Sequence, residues 1–320
     1  MQGGSEFAGR YLLDRRLGRG SFGEVWAARD RLQTRQVAIK FLYRHIAESD
    51  PVWLSKFKQE ARIAVRLKHP GIVSVDDFGE YDGQWYLVME FLEGHDLADE
   101  IASSPHGLPV VRAVSIASQI AEALAAAAEH GVVHRDLKPG NVMLLEGDRV
   151  KICDFGIARL VDASTNNTLH GRQIGTPAYM APEQWLAGQI DHRADLYALG
   201  GIMHALLLGR PPFSGPSVNE LMGQHLNAVP TSLRELRPEI PEHLNTLVLD
   251  LLAKDPAQRP ADATTALNRL SHARPAPHPQ EGRPGPDDQD WRRDAAKGDA
   301  DAMGNLGWLL HTSGRVQEAE

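Results

Sequence analysis

The chain has 320 residues, 42 % apolar and 24 % charged, an ordinary globular balance with ample material for a core. A formal net charge of −8 argues against nucleic acid or an anionic membrane as the main partner. A single cysteine, Cys153, excludes an internal disulfide and fits a reducing, cytoplasmic compartment.

Residues 1–10 have no apolar stretch of the kind a signal peptide needs. From Tyr11 to Glu90 the pattern is strand-like: β-rich runs at 25–29, 37–42 and 85–89 alternate with turn residues such as Asp82-Gly83. One helix interrupts them. Ser49 or Asp50 can cap it, Pro51 suits its first turn, and Phe57, Ala61, Ala64, Val65 and Leu67 recur at helical spacing.

After Gly94 the character becomes helical. Residues 110–129 form an alanine-rich helix stopped at Gly131; a second runs over 193–208, closed by Gly209 and Pro211-Pro212; a final set covers 242–270. The most apolar segment, 196–208, is too short for a bilayer, which takes roughly 20 residues, so it reads as a buried core helix and no membrane segment is expected here. The order predicts an α+β, bilobal architecture, a small β-rich lobe and a large helical lobe with a cleft at a hinge over 90–94.

Residues 272–290 are rich in proline, glycine, histidine and acid, and read as a flexible linker. Helical character resumes over 291–320. There the spacing of Leu306-Gly307, Gly314 and Ala319 resembles the start of a tetratricopeptide or Sel1-like repeat. The chain stops short of one such unit of roughly 34 residues, and a single unit cannot bury its own apolar face. A continuation beyond Glu320 is therefore expected, and membrane anchoring there is left open.

Three groups of residues carry chemistry. Gly18, Gly20 and Gly23 form a glycine-rich loop, in which backbone N–H groups can approach phosphate oxygens. A strand follows it, where a dinucleotide-binding fold would have a helix. Next, Val37-Ala38-Ile39-Lys40 places one cation on a strand. Last, His134-Arg135-Asp136-Leu137-Lys138-Pro139-Gly140-Asn141 is followed thirteen residues later by Asp154-Phe155-Gly156, two acids and an amide able to serve a metal-bound nucleotide and a hydroxyl. The fourteen histidines form no spaced Cys/His cluster of the zinc type.

Together these blocks resemble the eukaryotic-like, Hanks-type bacterial serine/threonine protein kinases. The resemblance implies a kinase domain over 8–271, with an N-lobe at 8–91 and a C-lobe at 92–271. It implies ATP and Mg²⁺ (or Mn²⁺) as cofactors and protein substrates, with Asp136 as base and Lys138 neutralising the transferred phosphoryl. Asn141 and Asp154 would hold the metal. Lys40 would contact the α- and β-phosphates and pair with Glu60, while Ala64 stands where such kinases usually carry a bulkier apolar residue. Leu17, Val25, Ala38 and Met143 would enclose the adenine, Met89 would guard its back wall, and the 90–92 backbone (Glu90, Leu92) would bond to it.

His134, Phe155 and Cys153 are expected to pack, not to react. The run from Gly175 to Glu183 resembles the substrate-side loop of serine/threonine kinases, with Glu183 paired to Arg259 and Asp195 bracing the catalytic loop. Ser164, Thr165 and Thr168 lie in the intervening activation loop, and a phosphate on Thr168 would bridge Arg135 and Arg159. The resemblance also allows a homodimer that autophosphorylates in trans, and a peptide partner for the repeat region. The alternatives are a pseudokinase scaffold acting through its repeats, which usually loses one of the residues at Lys40, Asp136 or Asp154, and a small-molecule phosphotransferase, which generally lacks the 176–183 loop.

Overall fold

The computed structural model describes residues 2–20, 23–44, 51–155, 177–186 and 188–271, without the side chains of 51–53 and 56. Ser49, Asp50, the activation-loop positions Arg159, Ser164, Thr165 and Thr168, the linker and the repeat all lie outside the described residues.

Six strands form one antiparallel sheet in the order β1-β2-β3-β4-β6-β5: Glu6–Phe7 (β1), Tyr11–Arg19 (β2), Gly23–Asp30 (β3), Arg35–Leu42 (β4), Val75–Tyr81 (β5) and Gln84–Glu90 (β6). The expected Asp82-Gly83 turn joins the last two, both residues at positive φ (49° and 70°), as a two-residue hairpin of this hand requires. Side chains alternate across the sheet. In β4, Val37, Ile39 and Phe41 face a cluster with Tyr11, Leu13, Trp26 and Val88, whereas Ala38 and Leu42 face Phe57 and Ala61 of the helix Pro51–Arg66. Lys40 shares the second face through the same period of two, so a charged side chain enters the cleft from an otherwise apolar strand.

The small lobe begins earlier than residue 8. Phe7, 5 % exposed, stacks edge-on against Phe41 at 4.8 Å and Tyr86 at 5.0 Å, so β1 belongs to the apolar core of the sheet. Two residues are too short a run for a period-of-two pattern to show, and the ring contacts are what reveal the strand. Gly23 is required by packing: a Cβ there would lie 1.9 Å from the carbonyl oxygen of Phe41 on the neighbouring strand.

In the larger lobe the expected helices stand as Val110–Glu129, Arg193–Leu208, Glu242–Leu251 and Ala263–Ser271. Arg193–Leu208 is buried at every position from Ala194 to Leu207 and ends at Gly209 in the left-handed conformation. Gly200 lets it approach Glu242–Leu251, since a Cβ there would stand 2.8 Å from the Leu251 Cβ. Among the described residues one helix, Val110–Glu129, is long and apolar enough to cross a membrane; its apolar face packs against Arg193–Leu208 and Ala263–Ser271. A core helix of this kind passes the same length test.

The helical reading after Gly94 omitted one element. Gly94–Asp96 (β7), Val142–Leu145 (β8) and Arg149–Ile152 (β9) form a three-stranded sheet. It fixes the ends of both catalytic segments, because β8 follows Asn141 directly and β9 ends two residues before Asp154. Backbone bonds from Val73 N–H to the Ile152 carbonyl (2.9 Å) and from Ile152 N–H to the Gly71 carbonyl (2.9 Å) tie it to the small lobe.

Candidate active site

Residues 134–141 have little regular structure, and side chains hold them in place. Asp195 is buried and accepts the backbone N–H of His134 (2.7 Å) and of Arg135 (2.8 Å) with its two oxygens. Burial pushes its carboxyl up, opposed in part by His134, the two amides and the Arg135 charge. His134 accepts Asp136 N–H at Nδ1 (3.2 Å), which leaves Nε2 to donate to the Cys153 carbonyl at 2.8 Å. Its ring meets Phe155 edge-on at 4.7 Å. His134 is thus a spacer between the two catalytic segments, the packing role expected for it.

Above this floor, the Asp136 carboxylate receives Lys138 Nζ at 2.7 Å and Asn141 Nδ2 at 3.2 Å; Asn141 Nδ2 also donates to the Asp136 carbonyl at 2.7 Å. Asp136 stays 40 % exposed, enough to meet an incoming hydroxyl. Asp154, at φ 64°, receives Lys40 Nζ at 2.8 Å. Burial pushes the Asp154 carboxyl up, but the Lys40 ammonium outweighs it and holds the carboxyl below its ordinary value. Burial, with the Asp154 charge beside it, pushes the Cys153 thiol up to about 12, so it is no nucleophile.

Here the structure departs from one expectation. Among the described residues, the ion-pair partner of Lys40 is Asp154 and not Glu60. Glu60 instead lines a cavity between the helix Pro51–Arg66 and the sheet, with Ala64, Leu67, Met89, Asp154 and Phe155. Helical register put Glu60 on the inner face, but how deeply the helix seats decides which carboxylate Lys40 meets. The small Ala64 leaves part of that seat unfilled.

The residues expected to enclose an adenine converge on the cleft. Ala38 and Met89 are cross-strand neighbours, Val25 and Leu92 pack beside them, and Met143 lies on β8; Leu17, on β2, is exposed. Glu90 N–H is committed to the Ser74 carbonyl at 3.0 Å, so only its carbonyl remains to bond a base. Its side chain accepts Ser74 N–H at 2.6 Å and Lys151 Nζ at 2.5 Å, an anchor for the hinge that the sequence reading did not foresee. At the loop above, Gly20 N–H closes on the Gly23 carbonyl at 2.9 Å.

Asn141 turns its amide nitrogen to Asp136, leaving Oδ1 for a cation, and Asp154 has a second carboxylate oxygen beyond the one Lys40 holds. Two oxygen donors on adjoining segments fit a hard divalent ion that takes its other ligands from phosphate and water. Among the described residues no group of three or more acids, histidines or cysteines is arranged to hold a metal ion by itself.

Below the cleft, Arg259 forms a two-pronged ion pair with Glu183 at 2.7 and 2.8 Å and donates to the carbonyls of Ala253 and Arg193. Its side chain is 0 % exposed and well satisfied, as a buried charge must be. Gln184, unremarked in the sequence, bonds to both the Arg135 carbonyl and Ala181 N–H. The signal available was its place at the third position of a short helix opened by Pro182.

The Protein kinase domain family model matches residues 11–271. The chain belongs to this family. Its kinase domain is 38 % identical over 275 residues to serine/threonine-protein kinase pkn2 of Myxococcus xanthus, covering 84 % of the chain and 33 % of that relative. It is 41 % identical over 262 residues to serine/threonine-protein kinase PknH of Mycobacterium tuberculosis, covering 81 % and 41 %. The chain thus spans less than half the length of these two curated relatives. The crystal structure of the Mycobacterium tuberculosis PknI kinase domain superposes with a TM-score of 0.68 at 30 % identity, covering 86 % of the chain and 99 % of that structure.

Proposed function

We propose that this protein is a serine/threonine protein kinase that transfers the γ-phosphoryl of ATP to hydroxyls of other proteins. The observation that carries the reading is the convergence of Lys40, Asp136, Lys138, Asn141 and Asp154 on one cleft, with Asp136 held on three sides and still open. Phosphoryl transfer asks chiefly for positioning and charge neutralisation. Asp136 accepts the proton of the acceptor hydroxyl, oriented by its own N–H on His134 and by Asn141. Lys138 sits 2.7 Å from that carboxylate and offsets charge on the transferring group. Lys40, paired to Asp154, is the cation available to phosphate oxygens. Mg²⁺ held by Asn141 and Asp154, or Mn²⁺ in its place, supplies neutralisation of the phosphate charge when bound.

The proposal extends to regulation: a phosphate on Thr168, with Thr165 and Ser164 as further acceptors, placed by a second copy of the chain and received by Arg135 and Arg159. The repeat-like 291–320 segment is assigned to docking of a peptide partner. A pseudokinase scaffold is disfavoured by the presence of Lys40, Asp136 and Asp154 together. The deciding experiment incubates the protein with labelled ATP, Mg²⁺ and dephosphorylated casein beside Asp136→Asn. Label on casein, reduced at least about 100-fold in the variant, is expected. Equal labelling by D136N would remove Asp136 from the role of base. Mass spectrometry of active protein without phosphate on Ser164, Thr165 or Thr168 would sink the regulatory part.

A further inference from the structure

Asp136 is held through its N–H by His134 and at its carboxylate by Asn141, and the residue before it, whose N–H Asp195 accepts, has a further tether. Arg135 is a non-glycine residue at φ 66°, and its carbonyl oxygen accepts Gln184 Nε2 at 2.7 Å. Oε1 of the same amide accepts Ala181 N–H at 3.0 Å. One side chain thus spans the catalytic loop, immediately before the base, and the substrate-side segment that ends at Ala181. The space around it is a small cleft lined by Arg135, Asp136, Tyr179, Met180 and Asp195.

We propose that Gln184 is a positioning residue for phosphoryl transfer: it fixes the Arg135 carbonyl, and through it Asp136, relative to the segment that presents the acceptor hydroxyl. The inference rests on the kinase reading above. The chemistry of the side chain supports it, since the two contacts ask for opposite hydrogen-bonding roles. A carboxylate can replace the acceptor toward Ala181 but has no hydrogen for Arg135, and faces its carbonyl with a negative charge. A thioether of similar length makes neither bond well. Helix capping alone would need only the acceptor.

This separates placement of the base from simple bracing. In the full chain, Q184E and Q184M are compared with wild type for kcat, for KM toward ATP and casein, and for Tm. Q184E is expected to lower kcat about 10- to 100-fold, the effect of misplacing a reacting group by a fraction of an ångström to one ångström. Its KM for ATP should stay at the wild-type value, because the nucleotide side is untouched, and its Tm should fall less than that of Q184M, because the acceptor to Ala181 is kept. Q184M should lose kcat as well and lower Tm.

Wild-type kcat in Q184E overturns the inference, as does a rise in casein KM with kcat unchanged, which would confine Gln184 to docking. Loss of the folded state in both variants, read by circular dichroism, also overturns it, because the amide would then be a structural brace. A wild-type chain that labels no casein removes the kinase reading itself, and the inference with it. An active wild type beside an unimpaired Q184E removes the inference alone.

Discussion

The floor and the roof of the cleft are built on different terms. The floor is the catalytic loop over Asp195, where two backbone amides, a histidine and an aromatic ring hold the loop of Asp136 with complementary donors and acceptors. The roof is the sheet and the helix Pro51–Arg66, where Lys40 has found Asp154, and Glu60 and Ala64 border a cavity. Hydrogen-bonded polar networks at low dielectric tolerate one arrangement. Apolar packing beside a cavity tolerates several, at small cost each. On the proposed kinase reading, the base lies on the floor, and the groups that would close on a nucleotide lie on the roof.

Breaking the floor should have the largest effect. Asp195→Ala strands the buried His134 N–H and the part-buried Arg135 N–H, and unfolding in urea is expected to show a loss of about 1–4 kcal/mol, roughly 1–3 kcal/mol for the buried donor and less for the other. A loss below about 1 kcal/mol would mean that water or a neighbour replaces the carboxylate and that the floor is no more specified than the roof.

A pH test sharpens the contrast next. His225, on the helix Val218–Asn227, sits under the substrate-side segment with Tyr197 Oη 2.8 Å from Nδ1 and the Phe213 and Trp185 rings beside it. Burial, with the nearby Lys254 charge second, pushes its pKa down from 6.5 to about 4. The unfolded chain therefore binds the proton that the folded one refuses between those values. Stability is full above about pH 6.5 and falls as pH drops toward 4, by roughly 3 kcal/mol at 1.4 kcal/mol per unit. Urea unfolding of wild type and His225→Gln at about pH 7 and pH 5 reads this directly, and the variant should show a shallower slope, the remainder coming from His204, which burial also holds below its ordinary value.

The smallest effect belongs to the roof. Ala64→Leu should fill part of the cavity and raise stability by about 0.5–2 kcal/mol, seen as a higher Tm. A lower Tm would show that the helix is already seated as closely as its neighbours allow.

Much of this site was legible in the sequence because its chemistry is local. Asp136, Lys138 and Asn141 lie within six residues, so one loop brings them together, while the pairing of Glu183 with Arg259 came from the kinase resemblance and agrees with the need to pair a buried charge. Lys40 was placed by the kinase resemblance alone, since 37–42 is buried on both faces and shows no alternation that would tell them apart. Its partner was not legible, because that depends on how deeply a helix rests on a sheet, a sum of packing terms that no single residue announces. Gln184 escaped for another reason. Its two bonds go to backbone groups 49 and 3 residues away, and backbone acceptors carry no residue signature. The short strand β1 and the three-stranded sheet β7–β9 are fixed by tertiary contacts more than by pattern.

Arg135 and Asp154 both hold the left-handed backbone, at φ 66° and 64°, a region that costs an ordinary side chain about 1 kcal/mol and costs glycine nearly nothing. Glycine at 154 would relieve that strain but strip the nearly buried Lys40 of its acid, a loss larger than the strain it removes. The left-handed turn at Asp154 is therefore held in place by the cation it faces, so a screen for survival on heating should keep the acid there.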